Sequence, residues 1–133
     1  MAAKLACWIF GVLFVGIGLV LILRGADVDP YHNLLHVATG LVMLGVGASR
    51  SASAARACCL GFGAFYLALG GLGMVLGDPS LDRLWQAGPL SLDVGDHGFH
   101  VLLGLILLAS GIVGRRAMTR SREAMLNWPR SVG

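Results

Sequence analysis

Charge is what this sequence has least of. Lys, Arg, Asp and Glu make up 13% of its 133 residues, against about 25% in soluble domains, and its single glutamate is Glu123. With 56% apolar residues and a mean hydropathy of +0.78, the lipid bilayer is the expected solvent. Cysteine is scarce too. Cys7, Cys58 and Cys59 show no C-x-x-C spacing and are odd in number, which excludes a zinc ribbon and a complete disulfide framework, so they read as small apolar packers. No phosphate loop, no nucleophile beside its base and no paired carboxylates within the apolar runs are present. A non-enzyme is the expectation. The excess of three positive charges forms no single patch but flanks apolar runs, which argues for membrane topology and against nucleic acid.

What is there instead is four stretches free of Lys, Arg, Asp and Glu: residues 5–23, 32–48, 58–77 and 97–114. A helix crossing the hydrocarbon needs about 20 residues, so all four read as spans, and residues 1–133 form one membrane domain with a polar tail at 115–133. The first two connections are short and demand antiparallel neighbours. The fold class is therefore all-α integral membrane: two tandem helical hairpins in an up-down four-helix bundle. Lys4, Arg50, Arg56, Arg115, Arg116, Arg120, Arg122 and Arg130 fall on one side, and only Arg24 and Arg83 on the other. The positive-inside rule then puts both termini in the cytoplasm, with Asp27, Asp29, Asp78, Asp82, Asp93 and Asp96 in the outer loops. The first apolar run exceeds a signal-peptide core and is expected to be retained. Lys4 stands where a lipobox wants an aliphatic residue, so Cys7 is no lipid anchor. Arg115, Arg116, Arg120 and Arg122 are placed to meet anionic headgroups. In the longer outer loop, Leu81, Leu84 and Trp85 have helical spacing, which predicts a short interfacial helix over 80–86 with Trp85 as an anchor.

The chain repeats itself. A shift of 64 residues matches Asp29 to Asp93, Asn33 to His97, His36 to His100, Gly40 to Gly104, Leu44 to Leu108 and Gly47 to Gly111. A shift of 52 matches Cys7 to Cys59, Phe10-Gly11 to Phe62-Gly63, Gly18 to Gly70 and Gly25 to Gly77. Each copy holds two spans, so both enter the membrane in the same direction, related by a pseudo-twofold axis along its normal.

Within each copy one stripe carries the chemistry. Asn33, His36, Gly40 and Gly47 fall in a narrow arc of a helix, as do His97, His100, Gly104 and Gly111. Asp29 before Pro30 is a cap followed by a first-turn proline, and Asp93 is placed to cap the fourth span. In the bundle the second and fourth helices are diagonal, so Asn33, His36, His97 and His100 can converge as a structural polar cluster, with Gly40, Gly47, Gly104 and Gly111 allowing close helix packing. Two sharper readings stand beside that one. His36 and His100 can serve as axial ligands of haem or a chlorophyll-type pigment, the glycine one turn deeper making room for the macrocycle. Alternatively His32, His36, His97 and His100, with Asp96, can hold a transition metal. Gly73-x-x-x-Gly77, Ala64-x-x-x-Ala68 and Ser110-x-x-x-Gly114 permit further tight contacts, and Thr39 and Tyr66 read as hydrogen-bonding core residues.

The stretches Asp29-Pro-Tyr-His-Asn-Leu-Leu-His-Val-Ala-Thr-Gly40, Gly63-Ala-Phe-Tyr-Leu-Ala-Leu-Gly70 and Asp96-His-Gly-Phe-His-Val-Leu-Leu-Gly104 resemble the family called domain of unknown function 4383. The resemblance covers nearly the whole chain and implies a small bacterial four-span protein of the inner (cytoplasmic) membrane. Where the family pattern resembles D-N-x-x-H-x-x-x-G, His97 replaces the asparagine, which leaves His36 and His100 as the matching pair. The function expected is a non-catalytic accessory subunit that stabilises other integral membrane proteins in a larger complex, without a cofactor. The alternatives are a haem- or pigment-binding module and a small transporter or proton-responsive channel.

Overall fold

An apolar run in lipid has no water to satisfy its peptide groups, so it closes its hydrogen bonds within a helix. The chain forms α1 (Ala2–Arg24), α2 (Pro30–Ala48), α3 (Ala52–Leu76), β1 (Trp85–Ala87), β2 (Leu90–Leu92) and α4 (Val94–Leu126). The computed structural model describes residues 1–24 and 29–126, with side chains as far as residue 113. Three helices, α1, α3 and α4 over Val94–Val113, are long and apolar enough to cross a membrane. In α2 the first two turns hold His32, Asn33 and His36, all buried.

The helix starts follow from their sequence. Asp29 Oδ1 accepts from the backbone N–H of Tyr31 at 2.9 Å and of His32 at 3.4 Å, and Pro30 fills the first helical position, where no N–H is needed. Asp93 Oδ1 accepts from the N–H of Gly95 at 2.7 Å and of Asp96 at 3.1 Å, while Asp96 Oδ2 accepts from Asp93 N–H at 3.1 Å. That is a reciprocal capping box with aspartate in the glutamate position. Ser51 Oγ caps α3 by a single bond, accepting from Ala54 N–H.

The burial pattern is inverted relative to a soluble bundle. His32, Asn33, His36, Thr39, His97 and His100 are inside, whereas Leu5, Ile9, Val12, Leu41, Leu102 and Ile106 are exposed. Such helices gain nothing from hiding leucine from lipid, so close packing at small residues holds them together. α1 packs chiefly on α2, and α3 chiefly on α4. A Cβ on Gly11 would lie 2.8 Å from Leu44, and on Gly63 2.8 Å from Leu108. On Gly18 it would meet Val37 and the Asn33 carbonyl, and on Gly70 Val101 and the His97 carbonyl. On Gly40 it would meet Gly11 O and Val15, and on Gly104 Gly63 O and Leu67. Each of these α1–α2 contacts recurs in α3–α4 at the offsets of 52 and 64 seen in the sequence. Between the pairs, Ala3, Cys7 and Phe14 of α1 share a buried core with Ala55, Cys59 and Tyr66 of α3.

The loop between α3 and α4 departs from expectation. Instead of a helix over 80–86, residues 78–84 form turns and Trp85–Ala87 pairs antiparallel with Leu90–Leu92. Asp82 and Arg83 have φ of 49° and 56°, left-handed values that no right-handed helix accommodates. Asp78 Oδ1 accepts from both the N–H and Oγ–H of Ser80, which diverts the chain into a turn, and Gly88 at φ 64° closes the hairpin. Trp85 is half-buried in β1, its ring 6.4 Å from that of His97. The second departure is that α4 continues as helix to Leu126, past the expected start of the tail at Arg115. Arg, Ala, Met and Glu favour helix, so charge ends the apolar run there without ending the helix. Gly25, Asp27 and Arg130 lie outside the described residues, as do the side chains of Arg115, Arg116, Arg120 and Arg122.

Asp29 also joins two elements, since its Oδ2 accepts from Ser91 N–H at 2.7 Å. Burial acts to raise its carboxyl, but the N–H groups of Ser91, Tyr31 and His32 outweigh it and hold the pKa below the usual value. The sign follows: the stabilisation is complete above the unfolded pKa of about 4 and is lost as pH falls through the lower folded value. Asp29→Ala should therefore cost about 1 kcal/mol at neutral pH, as loss of a cap does. Thermal unfolding in detergent should show the gap to wild type narrowing towards pH 3.

Candidate metal centre

Helical spacing places His32 and His36 one turn apart on a single face of α2. Their Nε2 atoms lie 3.0 Å apart and their rings 4.5 Å. From α4, His100 comes within 5.6 Å of the His32 ring and 6.2 Å of the His36 ring. One nitrogen from each of the three imidazoles lies within 4.8 Å of the other two, and all three residues are buried.

Two aromatic rings hold the imidazoles in place. Phe14 of α1 lies 5.0 Å from His36, Tyr66 of α3 stacks on His100 at 5.3 Å, and the two rings are 5.6 Å apart. Phe14 and Tyr66 are themselves equivalent under the 52-residue offset, as His36 and His100 are under 64. Each helix pair thus contributes one aromatic-on-histidine unit. Tyr66 Oη–H donates to Thr39 Oγ1 at 3.1 Å, as its reading as a hydrogen-bonding core residue requires. Phe14 carried no polar signal in the sequence; only its offset from Tyr66 could have singled it out.

His97 does not join this group. Its ring packs over Gly73, with no room for a Cβ there, and its Nε2–H donates to the Arg83 carbonyl at 2.9 Å. That carbonyl is turned inward by the left-handed backbone at Arg83 and also sits against Gly77. Gly73 is therefore taken up by His97 of α4 and Gly77 by the loop between α3 and α4. Asn33 is buried at the equivalent place of α2, its Oδ1 without a hydrogen-bond partner among the described residues. Asp96, the repeat equivalent of His32, is engaged in the α4 cap. Gly40, Gly104, Gly47 and Gly111 face neighbouring helices, Gly47 against Trp8 and Cys7 and Gly111 against Leu60. Ala64 and Ala68 are exposed on the outer face of α3, and Ser110 Oγ–H donates back to Ile106 O within its own helix.

Three imidazoles without a carboxylate or thiolate suit zinc or copper more than magnesium or calcium. A tetrahedral zinc ion bound at about 2.0–2.1 Å spaces its nitrogens roughly 3.3 Å apart, close to the His32–His36 separation. Buried Nδ1 atoms of His36 and His100 have no partner among the described residues, and an unmet buried polar atom costs about 1–3 kcal/mol. A bound cation, by turning the rings to ligate, would offset that cost.

No curated protein and no solved structure matches the chain. A family model does match over residues 20–113, a span that takes in all of α2, α3 and the loop after α3, and the part of α4 that carries His100. With most of its length so matched, this chain belongs to the family described as domain of unknown function 4383.

Proposed function

We propose that the protein is a non-catalytic, four-span membrane module that holds one transition-metal ion, zinc or copper, between its two helix pairs near the outer surface. The observation that carries this reading is the convergence of His32, His36 and His100, buried, with ligand nitrogens within 4.8 Å of one another. α2 is the fourth span, its length of 19 residues being close to what a bilayer needs. The recurrence of α1–α2 contacts in α3–α4 supports two tandem hairpins related by an axis along the membrane normal. With both termini cytoplasmic, the histidines lie at the outer end, where an ion can reach them.

A bare ion is better supported than haem. A macrocycle between His36 and His100 would displace Phe14 and Tyr66, which pack on those same imidazoles, and the expected space at Gly40 and Gly104 is taken by the backbones of α1 and α3. The accessory role in a larger assembly fits a module whose ion joins helices without doing chemistry.

Purified full-length protein, stripped with a chelator in mild detergent, should bind one equivalent of Zn2+ by calorimetry and give the visible absorption of nitrogen-ligated Co2+. Binding should weaken in acid, because protons compete for the same lone pairs. A folded, helical protein that takes up neither Zn2+, Co2+ nor copper would remove the proposal.

A further inference from the structure

At the end of the bundle opposite the histidines, Cys7 of α1 and Cys59 of α3 touch. Their Sγ atoms are 3.7 Å apart and both residues are fully buried. The contact is reciprocal. Cys7 Sγ–H points to Ala55 O at 3.7 Å and Cys59 Sγ–H to Ala3 O at 3.4 Å, and the 52-residue offset that converts Cys7 to Cys59 also converts Ala3 to Ala55. Each thiol thus reaches the backbone of the opposite helix pair across the pseudo-twofold axis. α1 and α3 approach this closely because the flanking residues are small: Ala3, Ala6 and Ala55 are all buried at this end. Cys58, by contrast, is half-exposed and lines an apolar groove with Leu35, Val46, Gly61 and Phe62.

We infer that Cys7 and Cys59 are a site of reversible oxidative modification, closing to an intrachain disulfide that staples the first helix pair to the second. The two sulfurs, 3.7 Å apart, must close by about 1.7 Å to reach a bond of about 2.05 Å. A small uncharged peroxide, able to enter an apolar core, is the oxidant. One thiol gives up its proton as its sulfur attacks a peroxide oxygen; the O–O bond breaks, the departing hydroxide takes that proton, and a sulfenic acid forms with release of one water. The second thiol sulfur then attacks the sulfenic sulfur, the S–O bond breaks and a second water leaves. Two hydrogens and two electrons have passed to the peroxide, and the product is neutral, as an apolar surrounding prefers. A thiol reductant reverses the reaction by exchange. The staple lies two helical turns, about 10.5 Å, from Phe14 and Tyr66 on the same two helices.

The test uses full-length protein in native membranes treated with hydrogen peroxide, then quenched with an alkylating agent under denaturing conditions. Cleavage after Lys and Arg, without reduction, should yield the peptide 5–24 joined to the peptide 57–83, lighter by two hydrogens than the sum and separated by dithiothreitol. Fragmentation of the joined species should place the bond at Cys59. Cys58→Ser should retain the link, and Cys7→Ser and Cys59→Ser should lose it. Three results would overturn the inference: recovery of all three cysteines alkylated, a bond mapped to Cys58, or links only between separate molecules. The bond is mapped on wild-type protein, so the outcome stands even where a variant fails to fold.

Discussion

Replacing His100 by alanine should lower metal affinity by at least about 100-fold, since changes even in the groups supporting a ligand cost 10- to 100-fold. His36→Ala should do the same, as both residues supply a nitrogen to the cluster. The informative contrast is His97→Ala. His97 is as buried as His100 and belongs to the same sequence stripe, but it is tied to the Arg83 carbonyl. Its loss should loosen the loop between α3 and α4 and lower the unfolding temperature while the stoichiometry of bound Zn2+ stays at one. Calorimetric titration beside thermal unfolding in detergent separates these outcomes. Loss of binding in His97→Ala, with binding kept in His100→Ala, would mean that the ligand set is wrong.

The second large effect concerns packing. Gly40→Ala and Gly104→Ala should each destabilise the protein by about 1–3 kcal/mol, the usual cost of forcing a methylene-sized group into a filled space. At Gly104 the new Cβ would lie 2.6 Å from Leu67 N and 2.8 Å from Gly63 O, and at Gly40 2.8 Å from Gly11 O and Val15 N. Backbone atoms cannot swing aside, so the helices themselves must separate. Gly45→Ala and Gly98→Ala are the controls, because a Cβ added at either would meet no atom within 4 Å beyond its own stretch of helix and alanine favours helix by up to about 1 kcal/mol over glycine. Denaturant titrations in micelles should show two losses of similar size for the repeat-related pair and no loss for the controls. If Gly40→Ala is harmless while Gly104→Ala is severe, the packing equivalence of the two helix pairs is refuted.

How much the sequence made legible differs by element. Helices α1 to α4 followed from uninterrupted apolar runs, and Asp29 and Asp93 announced their caps because a carboxylate preceding a helix has few other uses. The hairpin before α4 is not legible in the sequence. Leu81, Leu84 and Trp85 have the spacing of a helix face, but the turn is dictated by Asp78 bonding to Ser80 and by left-handed Asp82 and Arg83, residue types that give no firm advance sign of such a conformation. Trp85 consequently pairs in a strand beside His97 instead of lying on a short helix.

The candidate site shows the same division. His36 and His100 could be paired from the repeat alone. Which further residues joined them could not, because Asn33, His97 and His32 all lie within one turn of that pair and periodicity assigns an arc, not a rotamer. The tertiary structure decided it through local competition: the Arg83 carbonyl draws His97 away, the α4 cap engages Asp96, and Phe14 and Tyr66 leave His32 as the third imidazole. By itself, then, the sequence determined an apolar helical chain built twice, with its histidines and caps at one end and two of its cysteines matched at the other. Three-dimensional packing chose which three imidazoles converge and brought Cys7 against Cys59, since those outcomes depend on distances between helices that no one-dimensional pattern encodes.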